Sequence, residues 1–253
     1  MPIDLKELRG YVADMYSDVA NYPRAEFHFP TGRPLMEQLG YATDVLDRVP
    51  QAALASFAGV GHHFGMDPLS EGERVLDVGS GSGSDALFAA LQVGASGRVT
   101  GIDMTPPMLE KARENLAESG LDNTRFERCY AEELGTLSDT FDCVISNGVI
   151  NLSPDKPAVF DGIRERLRSG GRLMFSDIIT GVELPESVRE NCELWAECIG
   201  GAVQRDRYLR LIDQAGMRVE KVHDNDYRFT QESTIAAADK FHVGSISILA
   251  YKP

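Results

Sequence analysis

The spacing of apolar residues changes near residue 70, and that change divides the chain. Before it, apolar positions recur at helical spacing in stretches interrupted by Pro and Gly. These are an amphipathic run from Leu5 to Val19, an aromatic loop from Tyr22 to Pro34 (YPRAEFHFPTGRP), a helix from about Leu35 and another around Ala52 to Phe57. From Arg74 onward, short apolar runs alternate with helical stretches, the rhythm of βαβ units and a parallel sheet. The runs predict strands at 74–78, 98–103, 125–129, 141–146 and 172–178, and helices at 85–93, 107–119 and 157–167. Residues 181–214 break the rhythm with a second helical segment, ELPESVRENCELWAECIGGAV, suited to fold over the carboxyl ends of the strands. The tail offers two more strands, 218–222 and 245–251, around a helix near 233–240. The expectation is an α/β chain in two parts: a helical N-terminal cap or lid over 1–70, and a sheet domain over 71–253 with a helical insertion at about 181–214.

Composition narrows the choice of partner. At 253 residues, 43% hydrophobic and 25% charged, the chain can bury one large core without disulfides or metals. A net charge of −14 repels phosphate backbones and anionic headgroups, so neither nucleic acid nor membrane is expected as a partner. There is no apolar run of about 18 residues, and MPIDLKELRGY is too acidic and polar for a signal peptide. The expected location is the cytoplasm, as a monomer or homodimer. Cys129, Cys143, Cys192 and Cys198 have neither Cys-x-x-Cys spacing nor a matching His cluster, so they read as free thiols and no metal site is expected.

Candidate chemistry begins at Val75-Leu76-Asp77-Val78-Gly79-Ser80-Gly81-Ser82-Gly83, an apolar strand running into a Gly-rich turn and then a helix. Glycines let the backbone turn tightly and approach a ligand, although such turns also serve purely structural ends. The turn has no Gly-Lys-Ser/Thr, and Asp77 beside it disfavours a phosphate. A carboxylate there suits a cationic ligand instead. A second acid, Asp103, ends the next strand, where a carboxylate can accept two hydrogen bonds from a ribose diol. A helix N-cap ahead of Pro106 and Pro107 is its structural reading.

Taken in order, these motifs resemble the class I S-adenosylmethionine (SAM)-dependent methyltransferases. VLDVGSGSGSD is similar to their first motif, GIDMTPPML to the second strand with its ribose acid, and CYAEEL to the adenine-contacting segment. FDCVISNGVINL is similar to the fourth-strand motif, and LRSGGRLMFSD to the turn into strand five. The resemblance spans roughly residues 50–222. It implies a Rossmann-like fold with a seven-stranded, mostly parallel sheet whose last strand is antiparallel, and SAM as cofactor. It also implies that Asp77, Gly79, Ser80 and Gly81 line the methionine moiety, Asp103 and Met104 the ribose and adenine, Ala131 and Glu132 the adenine edge, and Asn147 the methionine side.

Within that family SNGVINLSPDK and LPESVRENCELWAECIGGA are similar to arsenite methyltransferases, in which three cysteines hold trivalent arsenic. Here only Cys198 remains; Gly148 and Val60 stand where the other two are expected. A small-molecule acceptor that does not use a three-cysteine site is therefore expected. The alternatives are a C- or O-methyltransferase of a quinone-like or other small metabolite, and a nucleotide-binding module without methyl transfer.

For catalysis the expected titratable pair is His62 and His63, with Cys198 as a further candidate. Tyr22, Phe27, His28, Phe29 and Arg33 form an aromatic loop that covers the cofactor, holds the substrate or simply plugs the N-terminal helix. Trp195 and Cys198, three apart on one helix face, are candidates for substrate contact or for core packing.

Overall fold

The computed structural model describes residues 4–253, and the backbone alone for Ser233. Residues 1–3, the start of the expected cap and of the stretch judged unlike a signal peptide, lie outside the described residues. Up to residue 70 the described residues form four α-helices: α1 (Leu5–Asn21), α2 (Arg33–Leu39), α3 (Thr43–Leu46) and α4 (Gln51–Ala55). Asp4 starts α1 as its N-cap, its carboxylate accepting from the backbone N–H groups of Lys6 and Glu7 at 2.8 and 3.1 Å. Leu8 and Val12, one turn apart, lie buried on the same face.

The sheet region runs β1 (Arg74–Val78), α5 (Ser84–Val93), β2 (Arg98–Asp103), α6 (Pro106–Ser119), β3 (Thr124–Arg128), β4 (Phe141–Asn147), α7 (Lys156–Arg166) and β5 (Leu167–Thr180). There follow α8 (Glu186–Arg189), α9 (Cys192–Ala196), β6 (Val203–Gln204), α10 (Arg205–Gln214), β7 (Arg218–Asn225), α11 (Glu232–Phe241) and β8 (Gly244–Tyr251). The strand order is β3-β2-β1-β4-β5-β8-β7, with the two-residue β6 on β5. Strands β1 to β5 are mutually parallel, and β8 runs antiparallel to both β5 and β7. This is the Rossmann-like α/β architecture with an antiparallel last strand, plus a short eighth strand. Val75, Leu76 and Val78 are buried because both sheet faces are covered, which is why the central strands read as near-continuous apolar runs. No helix among the described residues is long and apolar enough to cross a membrane.

Two strands outrun their apolar pattern. β5 begins at Leu167, which pairs with Phe141 before a register shift, and continues to Thr180 along β8. β7 continues past Val222 through His223, Asp224 and Asn225, because backbone pairing to the apolar β8 persists while its own outer face is exposed. Residues 181–214 divide: α8 and α9 are short helices, α9 packing on α1, whereas α10 lies against α7 and β7.

Strand order reverses between β1 and β4, so the crevice at their carboxyl ends is the topological switch point of the sheet.

Candidate active site at the carboxyl ends of the strands

The turn after β1 is built from its glycines. Gly79, Gly81 and Gly83 have φ of +75°, +52° and +91°, a region that favours glycine. A Cβ at Gly79 would run into the side chain of Val149. The end of β2 holds the turn from beneath. The N–H groups of Gly79 and Ser80 each donate to the Ile102 carbonyl at 2.8 Å, and Gly81 N–H donates to Asp103 Oδ2 at 2.9 Å. Thr105 N–H donates to Asp103 Oδ1 at 2.8 Å, so this carboxylate is fixed in direction yet keeps lone pairs toward the crevice.

The free space in and over the crevice, open solvent at its mouth included, comes to about 1060 Å³. Three buried carboxylates, Asp77, Asp85 and Asp103, face it. Asp85, at the start of α5, accepts from the Tyr41 hydroxyl at 2.9 Å and from Asn147 Nδ2 at 3.1 Å. Burial raises its pKa to about 6. Burial, then the nearby charges of Asp85 and Asp103, holds Asp77 well above the usual carboxylate range, and burial raises Asp103 as well. Asp77 Oδ2 and Ser80 Oγ are buried without a hydrogen-bond partner. Among the described lining residues the one Lys or Arg is Arg9, at the far end, 3.7 Å from Glu132 Oε2 and 4.2 Å above the Tyr130 ring. Clustered acids and orphaned acceptors at a glycine turn fit a ligand bearing positive charge and hydrogen-bond donors. An adenosyl sulfonium with an ammonium group has both.

All nine residues expected at the cofactor, Asp77, Gly79, Ser80, Gly81, Asp103, Met104, Ala131, Glu132 and Asn147, line this one crevice. Asn147 also ties the cap to the sheet: its Oδ1 accepts from Val60 N–H at 2.8 Å, and its Nδ2 donates to Gly61 O at 3.0 Å. Arg9 and Tyr16 of α1 and Asp85 of α5 line the crevice too and escaped the sequence reading. Leu8, Arg9, Val12 and Tyr16 recur at helical spacing on the face of α1 that forms the roof, and α9 braces that helix through Trp195 and Ala196.

The expected catalytic and substrate residues lie outside the lining. His63 is fully buried with both ring nitrogens unpartnered, and burial lowers its pKa to about 3. His62 stacks 4.4 Å from Tyr41, and burial lowers its pKa too. Both histidines lie in the segment that leads into β1, outside the crevice lining, and burial disfavours their protonated forms. Tyr22 is 65% exposed just past the end of α1. Phe29 is buried behind Tyr16, ring centroids 6.3 Å apart and nearly parallel. Trp195 packs against Leu8 and Val12 and donates its indole N–H to Arg189 O at 2.7 Å. Cys198 is buried one layer back, its Sγ 3.8 Å from the Tyr16 hydroxyl.

A family model described as a methyltransferase domain matches residues 69–216, more than half of the chain. The chain belongs to the class I methyltransferases. This methyltransferase is 36% identical over 190 residues to an arsenite methyltransferase of Halobacterium salinarum, covering 75% of this chain and 48% of that protein. It is 38% identical over 105 residues to an aklanonic acid methyltransferase of Streptomyces sp., covering 42% and 48%. Its fold matches the crystal structure of an arsenic(III) S-adenosylmethionine methyltransferase from Chlamydomonas reinhardtii with a TM-score of 0.63 and 33% identity, over 88% of this chain and 74% of the other. The methyltransferase spans about half the length of the curated relatives it matches.

Proposed function

We propose that this chain transfers the methyl group of SAM to a small-molecule acceptor without a three-cysteine arsenic site. The observation that carries the reading is the cluster of Asp77, Asp85 and Asp103 at the glycine turn, with Asp77 Oδ2 and Ser80 Oγ lacking partners. In this reading Gly79, Ser80 and Gly81 hold the amino-acid end, Asp103 the ribose diol, Met104, Ala131 and Glu132 the adenine, and Asn147 the methionine side. SAM supplies an activated methyl group, so the protein's task is to orient the acceptor in line and exclude water. The acceptor's lone pair makes the new bond to carbon, the pair of the broken C–S bond stays on sulfur, and any acceptor proton leaves to solvent. Helices α1 and α9 exclude water from above.

The acceptor corner argues against arsenite. Val60 and Cys198 lie in one apolar cluster with Phe29 and Met108. A Cβ at Gly148 would stand 3.4 Å from Val60 Cγ1, and Gly148 has a φ of +71°, which a cysteine would adopt only under strain. Burial pushes the Cys198 thiol up to about 11, so it is neutral, whereas soft As(III) is bound by several thiolates. An uncharged organic acceptor suits this apolar wall.

Isothermal titration with SAM and with S-adenosylhomocysteine (SAH) tests the assignment. Both bind, and Asp103→Ala weakens both about tenfold or more, as loss of a charged hydrogen-bonding group requires. Absence of binding by either ligand, or an unchanged Asp103→Ala, refutes it. Arsenite added to the protein with SAH produces no arsenic–thiolate ultraviolet absorbance; its appearance would contradict the reading of the acceptor corner.

A further inference from the structure

We propose that Tyr16 of the roof helix positions the methyl acceptor, and that the acceptor is a neutral, largely apolar molecule presenting one hydroxyl or thiol. The inference rests on the methyltransferase reading above and names the substrate class of that site.

Most of the polar groups named so far in the crevice already have partners or face the cofactor. At the floor, Asp77 Oδ2 and Ser80 Oγ fall to the cofactor. On the walls, the Ser56 hydroxyl donates to Val19 O at 3.2 Å, the Ser153 hydroxyl to Glu132 Oε1 at 2.6 Å, and the Asn147 amide is spent between the cap and Asp85. At the roof two groups remain: Arg9 Nε, buried without a hydrogen-bond partner at the nucleoside end, and the Tyr16 hydroxyl. The hydrogen-bonding neighbour of the Tyr16 hydroxyl is the Cys198 thiol at 3.8 Å, a weak partner for a half-buried phenol. Burial also raises the Tyr16 pKa far above neutrality, so the group stays a neutral hydroxyl able to donate or accept.

This arrangement is maintained against strain. Cys198 has a φ of +64°, one of two non-glycine residues in the left-handed region among the described residues. Asn151 Nδ2 donates to its carbonyl at 3.1 Å, and its own N–H donates to Trp195 O at 2.9 Å, which keeps the thiol turned toward Tyr16. Phe29 stacks behind the Tyr16 ring and limits its motion.

The surroundings define the acceptor's character. Val12, Val149, Leu152 and Gly148 give that end of the crevice an apolar wall. Asp77, Asp85, Asp103 and Glu132 also line the crevice, against Arg9, itself beside Glu132, so an anionic acceptor meets net repulsion.

Binding of three probes to the full chain with saturating SAH tests this: 4-pentylphenol, benzyl mercaptan and 4-pentylbenzoate, the last a charged match of the first. At least one neutral probe binds, the benzoate binds at least tenfold more weakly, and Tyr16→Phe, which keeps the ring, weakens the neutral probe about fivefold. SAH affinity of the variant stays within twofold of wild type, which also reports that it is folded. With SAH bound normally, failure of both neutral probes, equal binding of the benzoate, or an unaffected Tyr16→Phe overturns the proposal. The same titrations without SAH read the Tyr16 contact alone, so its failure is distinguishable from failure of the SAM reading.

Discussion

Gly79 combines a positive φ with a neighbour, Val149, that fills the space where a Cβ would go. The two constraints act together. An alanine pays for the left-handed backbone, about 1–2 kcal/mol, and must also push Val149 out of the wall of the crevice. Gly79→Ala is therefore expected to lower the melting temperature by several degrees, as a loss of about 2 kcal/mol does in a chain of this size. It should also weaken SAM binding by tenfold or more, read by calorimetry. Gly120→Ala is the control: its φ is also positive, at +68°, but nothing lies within 4 Å of the added Cβ, so it lowers stability without touching SAM affinity.

At the scale of elements, α1 is the part of the site that local sequence reading could not see. Its amphipathic spacing was visible, but spacing does not say which surface the buried stripe meets; Leu8, Val12 and Tyr16 roof a crevice whose floor lies some 60 to 95 residues further along. Asp85 was hidden for a different reason, since an acid in the first turn of a helix is explained by the helix itself. The strands β1 and β2 were legible to the residue because they are buried on both faces, and the residues expected at the cofactor from the motifs at their ends line one crevice. β6 was illegible, being two residues long and defined only by pairing to β5. The paired histidines are suited to catalysis by chemistry, but sequence does not reveal that His63 is fully buried and that neither lines the crevice. Arg9 supplies the prediction for this scale. Its guanidinium bridges from α1 to Tyr130 and Glu132 at the nucleoside end, so Arg9→Ala should weaken SAH binding by about three- to tenfold, the loss falling in the dissociation rate. Stopped-flow displacement measures it; an unchanged dissociation rate removes Arg9 from the roof's closure.

For the whole molecule, the buried acids couple ligand binding to pH. Folding raises the pKa of Asp85 to about 6, above its unfolded carboxylate value of about 4, and moves Asp77 and Asp103 the same way. The folded apo chain thus holds protons that the unfolded chain has released, and the stability this gives is complete below about pH 4 and lost as pH rises through about 6. His28 and His63 act in the opposite sense. Burial lowers them to about 4 and about 3, so they withdraw stability as pH falls below about 6.5. Melting curves of the wild type alone therefore mix two trends, and SAM affinity is the cleaner measure. A cationic ligand favours ionised carboxylates, so SAM affinity should fall severalfold from pH 7.5 to pH 5. Asp85→Asn should bind SAM more weakly at pH 7.5 and show a shallower slope. Affinity that rises on acidification would show that the acids do not face the charge.

The roof has a further consequence for turnover. α1 is fastened at several points along its length: Arg9 beside Glu132, the Ser56 hydroxyl on Val19 O, and Lys111 Nζ on Ala20 O at 2.6 Å. The same helix lines the crevice with both Arg9 and Tyr16, so a cofactor and an acceptor bound as proposed would both lie beneath it. A catalytic cycle then needs this helix to lift at least once, and when that lifting is slowest, thickening the solvent with sucrose slows steady-state turnover while leaving the first chemical event untouched.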